Sequence, residues 1–282
     1  MIKVRKKKMK IGFGYLISRL IIISLLICTF YPMFTLINMS FKPNIIIQTN
    51  FLGLADFSYF NNYIKAVKDI IQPVMNSLFV SVTTILITTV IVVLAGYAFG
   101  RLKFFGKEFF FYLLLIVMMI PNVLLIIPTY QIIFRAGWSG SFLGLIIPYI
   151  SGMQIYGIIM TRAFFGDLPE ELFEAGRIDG ASENFLLIRI AVPLSKPILI
   201  TTAIVSLIAM YNDYIWPAIV LSGEPKKATF CQIAFNTAGG NGSTDLGYLA
   251  AFFVLGTIPL LIITSFSMKY YMQGITEGAV KG

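Results

Sequence analysis

Long apolar runs recur along the chain and alternate with shorter polar segments. A helix rises 1.5 Å per residue, so roughly 20 apolar residues are needed to cross a hydrocarbon core of about 30 Å. Six runs reach that length, near residues 15–37, 74–99, 109–134, 142–160, 197–221 and 246–271. The pattern predicts an all-α polytopic membrane protein with six transmembrane helices.

Composition supports a bilayer as the main solvent of the protein. The chain is 57% hydrophobic and 12% charged, whereas a soluble domain carries roughly a quarter charged residues. If the amino terminus lies inside, 16 of the 22 basic residues fall on the inner side, as the positive-inside rule requires. Both termini are therefore predicted to be cytoplasmic, and the net charge of +9 needs no nucleic-acid partner.

The predicted organisation has three parts. A cytoplasmic tail at 1–14 precedes a transmembrane domain at 15–271, and a second cytoplasmic tail follows at 272–282. The first apolar run is too long for a secretory signal peptide and is not followed by a small-residue cleavage site, so it is expected to stay as an uncleaved anchor. The inner loop at 161–196 stands out because it holds six of the 13 acidic residues.

Two short helices are predicted in this loop. Asp167 with Glu170 resembles a capping box, and the helix that follows is expected to reach Ile178. Gly180 is suited to end it, since glycine tolerates the left-handed conformation that commonly closes helices. Ser182 is expected to cap the next helix, which Pro193 and Pro197 interrupt.

Several kinds of chemistry are excluded by residues that the chain lacks. It has no histidine, which removes a Ser-His-Asp triad and imidazole proton relays. It has no G-x-x-x-x-G-K-[ST] nucleotide loop, no paired catalytic carboxylates and no metal-ligand spacing. Cys28 and Cys231 lie in a span and in an outer loop, so a disulfide between them is not expected. The chain is predicted to be no enzyme and to bind no cofactor itself.

The order of residues in the acidic loop carries a resemblance. Glu174-Ala175-Gly176, Gly180 and Ile190-Ala191-Val192-Pro193 resemble the E-A-A, G, I-x-L-P motif of ABC importer permeases. Gly176 and Val192 depart from that motif but remain small or aliphatic. Further stretches resemble the carbohydrate-importing, maltose-transporter-type branch, in its second permease: Asn76-Ser77-Leu78, residues 96–102, residues 211–217 and the ending 274–282.

The resemblance implies a fold and a coupling mechanism. The fold would be that of a type I ABC importer permease, placed in a bacterial inner or plasma membrane. A coupling helix at about 168–178 would dock on an ATPase subunit, with ATPase-coupling residues Glu174, Ala175, Gly176, Asp179, Gly180 and Pro193. Glu174 would meet a basic group, and Ala175 and Gly176 would allow close approach.

The resemblance also implies partners. Two ATPase subunits would bind ATP and Mg and hydrolyse the nucleotide. A second, different permease subunit would complete a heterodimeric pore, with a homodimeric pore as the alternative. An extracytoplasmic solute-binding protein would deliver a carbohydrate. Removing Glu174 is expected to uncouple transport without unfolding the chain.

Candidate substrate-pathway residues cluster in the fifth span. Asp213 is an acidic residue inside a predicted span, and such carboxylates are costly enough to be functional by default. With Tyr211, Asn212, Tyr214 and Trp216 it offers amide and aromatic groups that suit sugar rings. A structural contact between Asp213 and another helix explains it equally well. Asn122, beside the helix-breaking Pro121, is a further candidate.

Other functions remain open from the sequence. An ABC permease could carry a polyamine, a phosphorylated polyol or a peptide, since the coupling loop is common to all of these. A secondary transporter or channel would also be polytopic and basic, but such folds usually contain inverted repeats, and no convincing internal repeat is present. The acidic loop motif favours the ABC importer.

Overall fold

The structure is a computed structural model, and it describes residues 13–239 and 245–279. Every regular element in these two ranges is helical. The basic cluster of the first 12 residues and the last three residues of the predicted carboxyl-terminal tail lie outside the described part.

Thirteen α-helices make up the described chain. The helices are α1 Phe13–Ser40, α2 Asn44–Thr49, α3 Asn61–Arg101, α4 Lys107–Met118, α5 Asn122–Arg135, α6 Leu143–Gly166, α7 Glu170–Ile178, α8 Glu183–Leu186, α9 Val192–Leu194, α10 Lys196–Tyr211, α11 Ile215–Val220, α12 Phe230–Gly239 and α13 Leu246–Ala279. A π-helical turn, Leu187–Ala191, joins α8 to α9, and a 3-10 turn, Pro225–Lys227, precedes α12.

Four of the helices described are long and apolar enough to cross a membrane alone, namely α1, α3, α6 and α13. Two further spans arise only if bent helix pairs are each counted as one, which gives up to six. One pair is α4 with α5, bent by 99°, and the other is the α8–α9 segment with α10, bent by 73°. The predicted third span at 109–134 is therefore broken, and Pro121 stands at the break as the residue before α5.

The predicted fifth span at 197–221 contains a break between two helices. Helix α10 ends at Tyr211, and α11 begins only at Ile215. The Asp213 carboxylate causes the break locally, because it accepts hydrogen bonds from the backbone N–H groups of Ile215 and Trp216. A side chain that satisfies these donors starts a new helix instead of continuing the old one.

The helix that contains the predicted second span at 74–99 extends well beyond it at the amino-terminal end. Helix α3 begins at Asn61, and it contains Pro73. Its added turns are amphipathic, since Asn62, Ala66 and Ile70 are buried at intervals of four residues while the residues between them are largely exposed. A search for continuous apolar runs does not register such a segment.

At the carboxyl-terminal end the final helix also runs further than expected. The predicted span at 246–271 continues as α13 to Ala279, so most of the predicted tail at 272–282 is helical. Pro259 lies inside α13 without ending it, as membrane helices tolerate.

The chain divides into two compact units, one of residues 1–66 with 244–254 and one of residues 67–243 with 255–282. In the first unit α1 is apolar, and every side chain from Gly14 to Phe34 is exposed. A helical segment that is apolar all round and exposed along this length is suited to lipid or to a membrane partner.

The same unit carries a tightly bonded loop after α1. Lys42 is 1% exposed, and its ammonium donates hydrogen bonds to the carbonyl oxygens of Asn50, Phe51 and Gly53. Asn38 accepts from the N–H of Ala55 at 2.7 Å. Nothing in the local sequence predicts this burial, because the three carbonyl oxygens come from residues 8 to 11 positions later.

Close contact between α3 and α6 supports the second unit. A Cβ atom at Gly96 would lie 2.1 Å from Thr161 Oγ1, and one at Gly157 would lie 2.5 Å from Val92 Cγ2. Small residues at such interfaces let two membrane helices approach closely. The pair α3 and α6 thereby brings Tyr97 and Arg101, at the end of α3, next to the acidic loop that follows α6.

Candidate functional site

The predicted first helix of the acidic loop is present as α7, Glu170–Ile178. The residue at its amino-terminal cap position is Pro169, which makes no side-chain cap hydrogen bond. Asp167 instead occupies the carboxyl-terminal cap position of α6. Glu170 and Glu171 lie in the first turn and Arg177 in the last, an order that favours the helix dipole at both ends.

Two glycines shape the end of α7. Gly180 has φ +80°, the left-handed conformation that the sequence predicted for the turn. Gly176 faces Leu186, and a Cβ there would lie 2.5 Å from Leu186 Cδ2. The close approach at Gly176 is thus made within the chain, against α8. Ser182 Oγ accepts a hydrogen bond from the N–H of Phe185 at 3.3 Å, as predicted.

One side of α7 is anchored in an apolar cluster. Phe173 is fully buried, and its ring centroid lies 6.3 Å from that of Tyr97 on α3. The other buried members are Phe165, Leu186, Leu187 and Ala191. Helix α7 is therefore packed against the ends of α3 and α6 and against the π-helical turn.

A chain of charged groups adds to this anchor. Arg101 contacts Glu170 and the carbonyl oxygen of Leu168, and its guanidinium lies 4.2 Å from the centroid of the Phe173 ring. Arg177 donates to Glu170 at 3.0 Å and to Glu183 at 2.8 Å. Hydrogen bonds from Arg177, and then from Tyr97, lower the pKa of the Glu183 carboxyl. The sequence motif contains none of these pairings.

The opposite side of α7 is bare. Glu174 and Ala175 are exposed, and Ile178 is 85% exposed. These residues and Glu171 recur at three- and four-residue intervals, so they share one helix face. Asp179 continues this exposed surface beyond the helix end, while Pro193 lies in α9. We call Glu171, Glu174, Ala175 and Ile178 the outer face of α7.

The predicted pathway residues of the fifth span do not share one environment. Asp213 accepts from the Tyr149 hydroxyl at 2.8 Å, in addition to the two backbone N–H groups of α11. Tyr211 is 1% exposed and donates to the carbonyl oxygen of Gly256 at 2.5 Å. Trp216 is buried and donates to the carbonyl oxygen of Gly144 at 3.1 Å. These three side chains are held by their own chain.

The remaining candidates are exposed. Asn212 and Asn122 are both accessible. Tyr214 is 38% exposed, and its ring stacks on that of Phe235 with centroids 4.3 Å apart and an interplanar angle of 19°. Phe235, on α12, is itself half exposed. Sequence reasoning missed Phe235 because no local pattern connects it to Tyr214.

Asp213→Ala is expected to destabilise the protein, whereas Asp213→Asn is expected to leave it near native. Alanine leaves the buried Tyr149 hydroxyl and two helix-starting N–H groups unpaired, at a cost of about 2–4 kcal/mol. Asparagine keeps an oxygen for the N–H groups and an amide for Tyr149. Thermal unfolding in detergent measures the difference. Loss of transport in both variants at an unchanged unfolding temperature would contradict this structural role and assign the charge to the pathway.

Two further polar residues, which the sequence resemblance had singled out, organise the segment before α12. Asn76 donates to the carbonyl oxygens of Lys226 and Ala228, each at 2.9 Å. Ser77 Oγ accepts from the N–H of Phe230 at 2.9 Å. Lys227 Nζ donates to the carbonyl oxygen of Gly140 at 2.7 Å. The segment that carries Phe235 is thereby fixed to the start of the second predicted span and to the turn before α6.

Several long apolar helices, together with a short acidic helix packed against the ends of two of them, are features of a membrane protein with a structured loop. The chain belongs to the family described as "Binding-protein-dependent transport system inner membrane component", which matches residues 92–277. That membership makes it a multi-pass permease of an ABC importer in the cell membrane, a kind of system that includes ATPase and solute-binding subunits.

Relatives extend over nearly the whole chain. The sequence is 30% identical over 271 residues to the "Trehalose/maltose transport system permease protein MalG" of Thermococcus litoralis, which covers 93% of this chain and 94% of that protein. It is 27% identical over 185 residues to the "sn-glycerol-3-phosphate transport system permease protein UgpE" of Pectobacterium atrosepticum, covering 66% of this chain and 65% of that protein. The predicted resemblance to ABC importer permeases is confirmed.

A solved structure has the same fold. It is a chain of a bacterial ABC transporter involved in the import of the acidic polysaccharide alginate, with a TM-score of 0.80 at 22% identity, covering 92% of this chain and 96% of that chain. The type I permease fold predicted from the resemblance is thus confirmed. The likeness carries the fold alone.

Proposed function

We propose that the chain forms one half of the translocation pathway of an ATP-driven carbohydrate importer and that α7 is the element on which an ATPase subunit acts. One observation carries the second part: α7 is anchored on one side by Phe173, while its outer face, with Glu174 and Ile178, is bare. An acidic side chain on a rigid helix fixes the register of a basic partner through charge-assisted hydrogen bonds. Ala175 allows close approach between them.

The carbohydrate substrate is supported by the relative named for trehalose and maltose, because it extends over 93% of this chain. Within the chain, Asn212 and Tyr214 present an amide and an aromatic ring at the break between α10 and α11. Aromatic rings suit the C–H faces of sugars and amides suit their hydroxyl edges. We assign Asn212 and Tyr214 to the pathway, with Asn122 as a further contact. The residues that hold them in place are Tyr211, Asp213 and Trp216.

The remaining partners follow from the same proposal. Two ATPase subunits bind ATP and Mg and hydrolyse the nucleotide, a second and different permease completes the pore, and a binding protein delivers the sugar from the outer side. Both termini and the α7 loop lie on the cytoplasmic side, in agreement with the distribution of basic residues along the sequence. The exposed apolar surface of α1 suits contact with lipid or with the second permease.

Glu174→Ala is expected to abolish most ATP-driven uptake of labelled oligosaccharides into vesicles that hold the co-expressed complex. We expect a fall of roughly tenfold or more, within the range that coupling free energies produce. The unfolding temperature should hardly change, because an exposed substitution of this kind is worth about 0.5 kcal/mol or less. Glu224→Ala is the matched control, since the Glu224 side chain is 46% exposed and pairs with Lys227 at 3.5 Å. Uptake that ignores ATP and tolerates Glu174→Ala would indicate a secondary transporter.

A phosphorylated polyol is the second candidate substrate, and the relative named for sn-glycerol-3-phosphate favours it. The same vesicles distinguish the two, with labelled maltose, trehalose and longer oligosaccharides compared with labelled glycerol-3-phosphate. We expect a neutral oligosaccharide to accumulate. Accumulation of glycerol-3-phosphate alone would replace the carbohydrate in the proposal and leave the role of α7 intact.

A further inference from the structure

The contacts of Arg101 join two elements that are remote in the sequence. Arg101 is the last residue of α3, and Glu170, which it contacts, begins α7 69 residues later. Its side chain is only 6% exposed. A guanidinium buried to this extent is costly unless it is paired, so the pairing with Glu170 and with the carbonyl oxygen of Leu168 is tightly specified.

A second connection runs between the same helices. Tyr97, one turn before Arg101, donates to Glu183 at 2.7 Å across 86 residues of sequence. Glu183 accepts from Arg177, and Arg177 also donates to Glu170. The chain of contacts Arg101, Glu170, Arg177, Glu183 and Tyr97 therefore begins and ends on α3. We call these five residues the α3–α7 clasp.

The clasp leaves the outer face of α7 free. The two clasp residues on α7 are Glu170 in its first turn and Arg177 in its last turn, and both lie on the side of α3. Glu174 and Ile178 remain accessible. Without the clasp, polar contact between α7 and α3 would be lost and the apolar packing of Phe173 would remain. A push on the outer face would then move α7 along its covalent connections to α6 and α8.

We propose that Arg101 is a positioning residue that makes α7 and the end of α3 one rigid body, so that α3 follows every displacement that an ATPase imposes on α7. This inference rests on the proposed function of α7. It assigns α3 as the helix to which the movement is passed first. Arg101 itself contacts neither nucleotide nor solute.

A distance measurement tests the clasp without any transported solute. Spin labels are attached at Leu172→Cys on α7 and Leu94→Cys on α3, both exposed positions and neither on the outer face of α7, in a complex carrying Cys28→Ser and Cys231→Ser. The distance distribution is recorded by pulsed electron paramagnetic resonance in lipid nanodiscs, with and without ATP plus vanadate. With Arg101 present we expect one unchanged distance in both states. With Arg101→Gln we expect the distance to shift or broaden when ATP and vanadate are added.

Two results would overturn the inference. One is a distance that already changes with nucleotide while Arg101 is present, because α7 and α3 would then not move together. The other is an unchanged distance in the assembled Arg101→Gln complex. If that variant fails to assemble, Glu170→Ala replaces it, since it removes the side chain through which Arg101 holds α7; an unchanged distance in the assembled Glu170→Ala complex also contradicts the proposal.

The ratio of solute imported to ATP hydrolysed separates positioning from folding. For Arg101→Gln we expect ATP hydrolysis to persist while the ratio falls by roughly 5- to 150-fold, as lost coupling predicts. Arg162→Gln is the control, because Arg162 pairs with Glu108 at 2.9 Å and lies over the Phe111 ring, and both of these partners are on α4. Equal losses in both variants would reduce Arg101 to a structural residue. Absence of ATP-driven uptake in the native complex would instead refute the proposed function. The distance measurement would still test the clasp, because it needs no transported solute.

Discussion

Gly256→Ala is expected to lower the unfolding temperature of the protein by roughly 5 °C, the shift that about 2 kcal/mol produces in a chain of this size. A Cβ atom at position 256 would lie 1.9 Å from Cε2 of Phe230. The Phe230 ring cannot easily retreat, since it is 2% exposed and lies beside Tyr211 with ring centroids 5.4 Å apart. Overpacking of this kind costs about 3 kcal/mol, of which the better helix propensity of alanine recovers about 1 kcal/mol.

Gly152→Ala is the matched control for this prediction. Gly152 also lies inside a membrane helix, but a Cβ there meets nothing within 4 Å. Alanine at position 152 should leave the unfolding temperature unchanged or raise it slightly. Fluorescence-detected size-exclusion chromatography after heating measures both variants. Equal stability of the two would mean that α13 does not approach Phe230 as closely as the structure has it.

Lys42→Met is expected to open the loop between α1 and α3. Methionine fills similar volume but leaves the carbonyl oxygens of Asn50, Phe51 and Gly53 without their common donor, which costs about 3 kcal/mol in a buried setting. Local opening is the response that we expect, because Phe51 and Leu52 already lie at the surface. Hydrogen exchange of the backbone amides in residues 43–56 should become roughly 100-fold faster.

Lys65→Met provides the control in the same unit. Lys65 is 54% exposed in its side chain and pairs with Asp245 at 3.9 Å, a surface ion pair worth about 1 kcal/mol or less. Its removal should leave exchange in residues 43–56 unchanged. If Lys42→Met also leaves that exchange unchanged, the buried ammonium does not organise the loop.

The apolar spans could be predicted from the sequence because hydrocarbon thickness imposes a minimum length on a crossing helix. Breaks within spans were harder to place. Pro121 was identified as a break in the third span, whereas the one after Tyr211 was missed because Asp213 ends the helix through hydrogen bonds, not through an absence of apolar residues. The extension of α3 to Asn61 was missed because its buried residues are spaced four apart among polar ones.

The burial of single charges could not be predicted from their position along the sequence. Lys42 follows the first apolar run, yet it is buried because turns 8 to 11 residues away supply backbone carbonyl oxygens to its ammonium group. Asp213 was given equal structural and functional explanations. Its three hydrogen bonds favour the structural one.

For the coupling loop, the motif located the helix and its glycine turn, because both depend on local sequence. The α3–α7 clasp could not be predicted in the same way. Arg101 and Tyr97 are 69 and 86 residues from their partners, and only the close packing of α3 against α6 brings them together. The motif likewise could not tell which of its small residues faces a partner: Gly176 packs on Leu186 inside the chain, while Ala175 stays exposed.

The central claim is that the outer face of α7 binds an ATPase subunit, and photo-cross-linking in membranes tests it most directly. Ile178 is replaced by benzoylphenylalanine in the co-expressed complex, and Leu54, which is 76% exposed in the loop after α1, is replaced in the same way as the control. We predict a cross-link from position 178 to the ATPase subunit and none from position 54. An intact complex in which position 178 forms no such cross-link, or in which position 54 does, would contradict the assignment of α7.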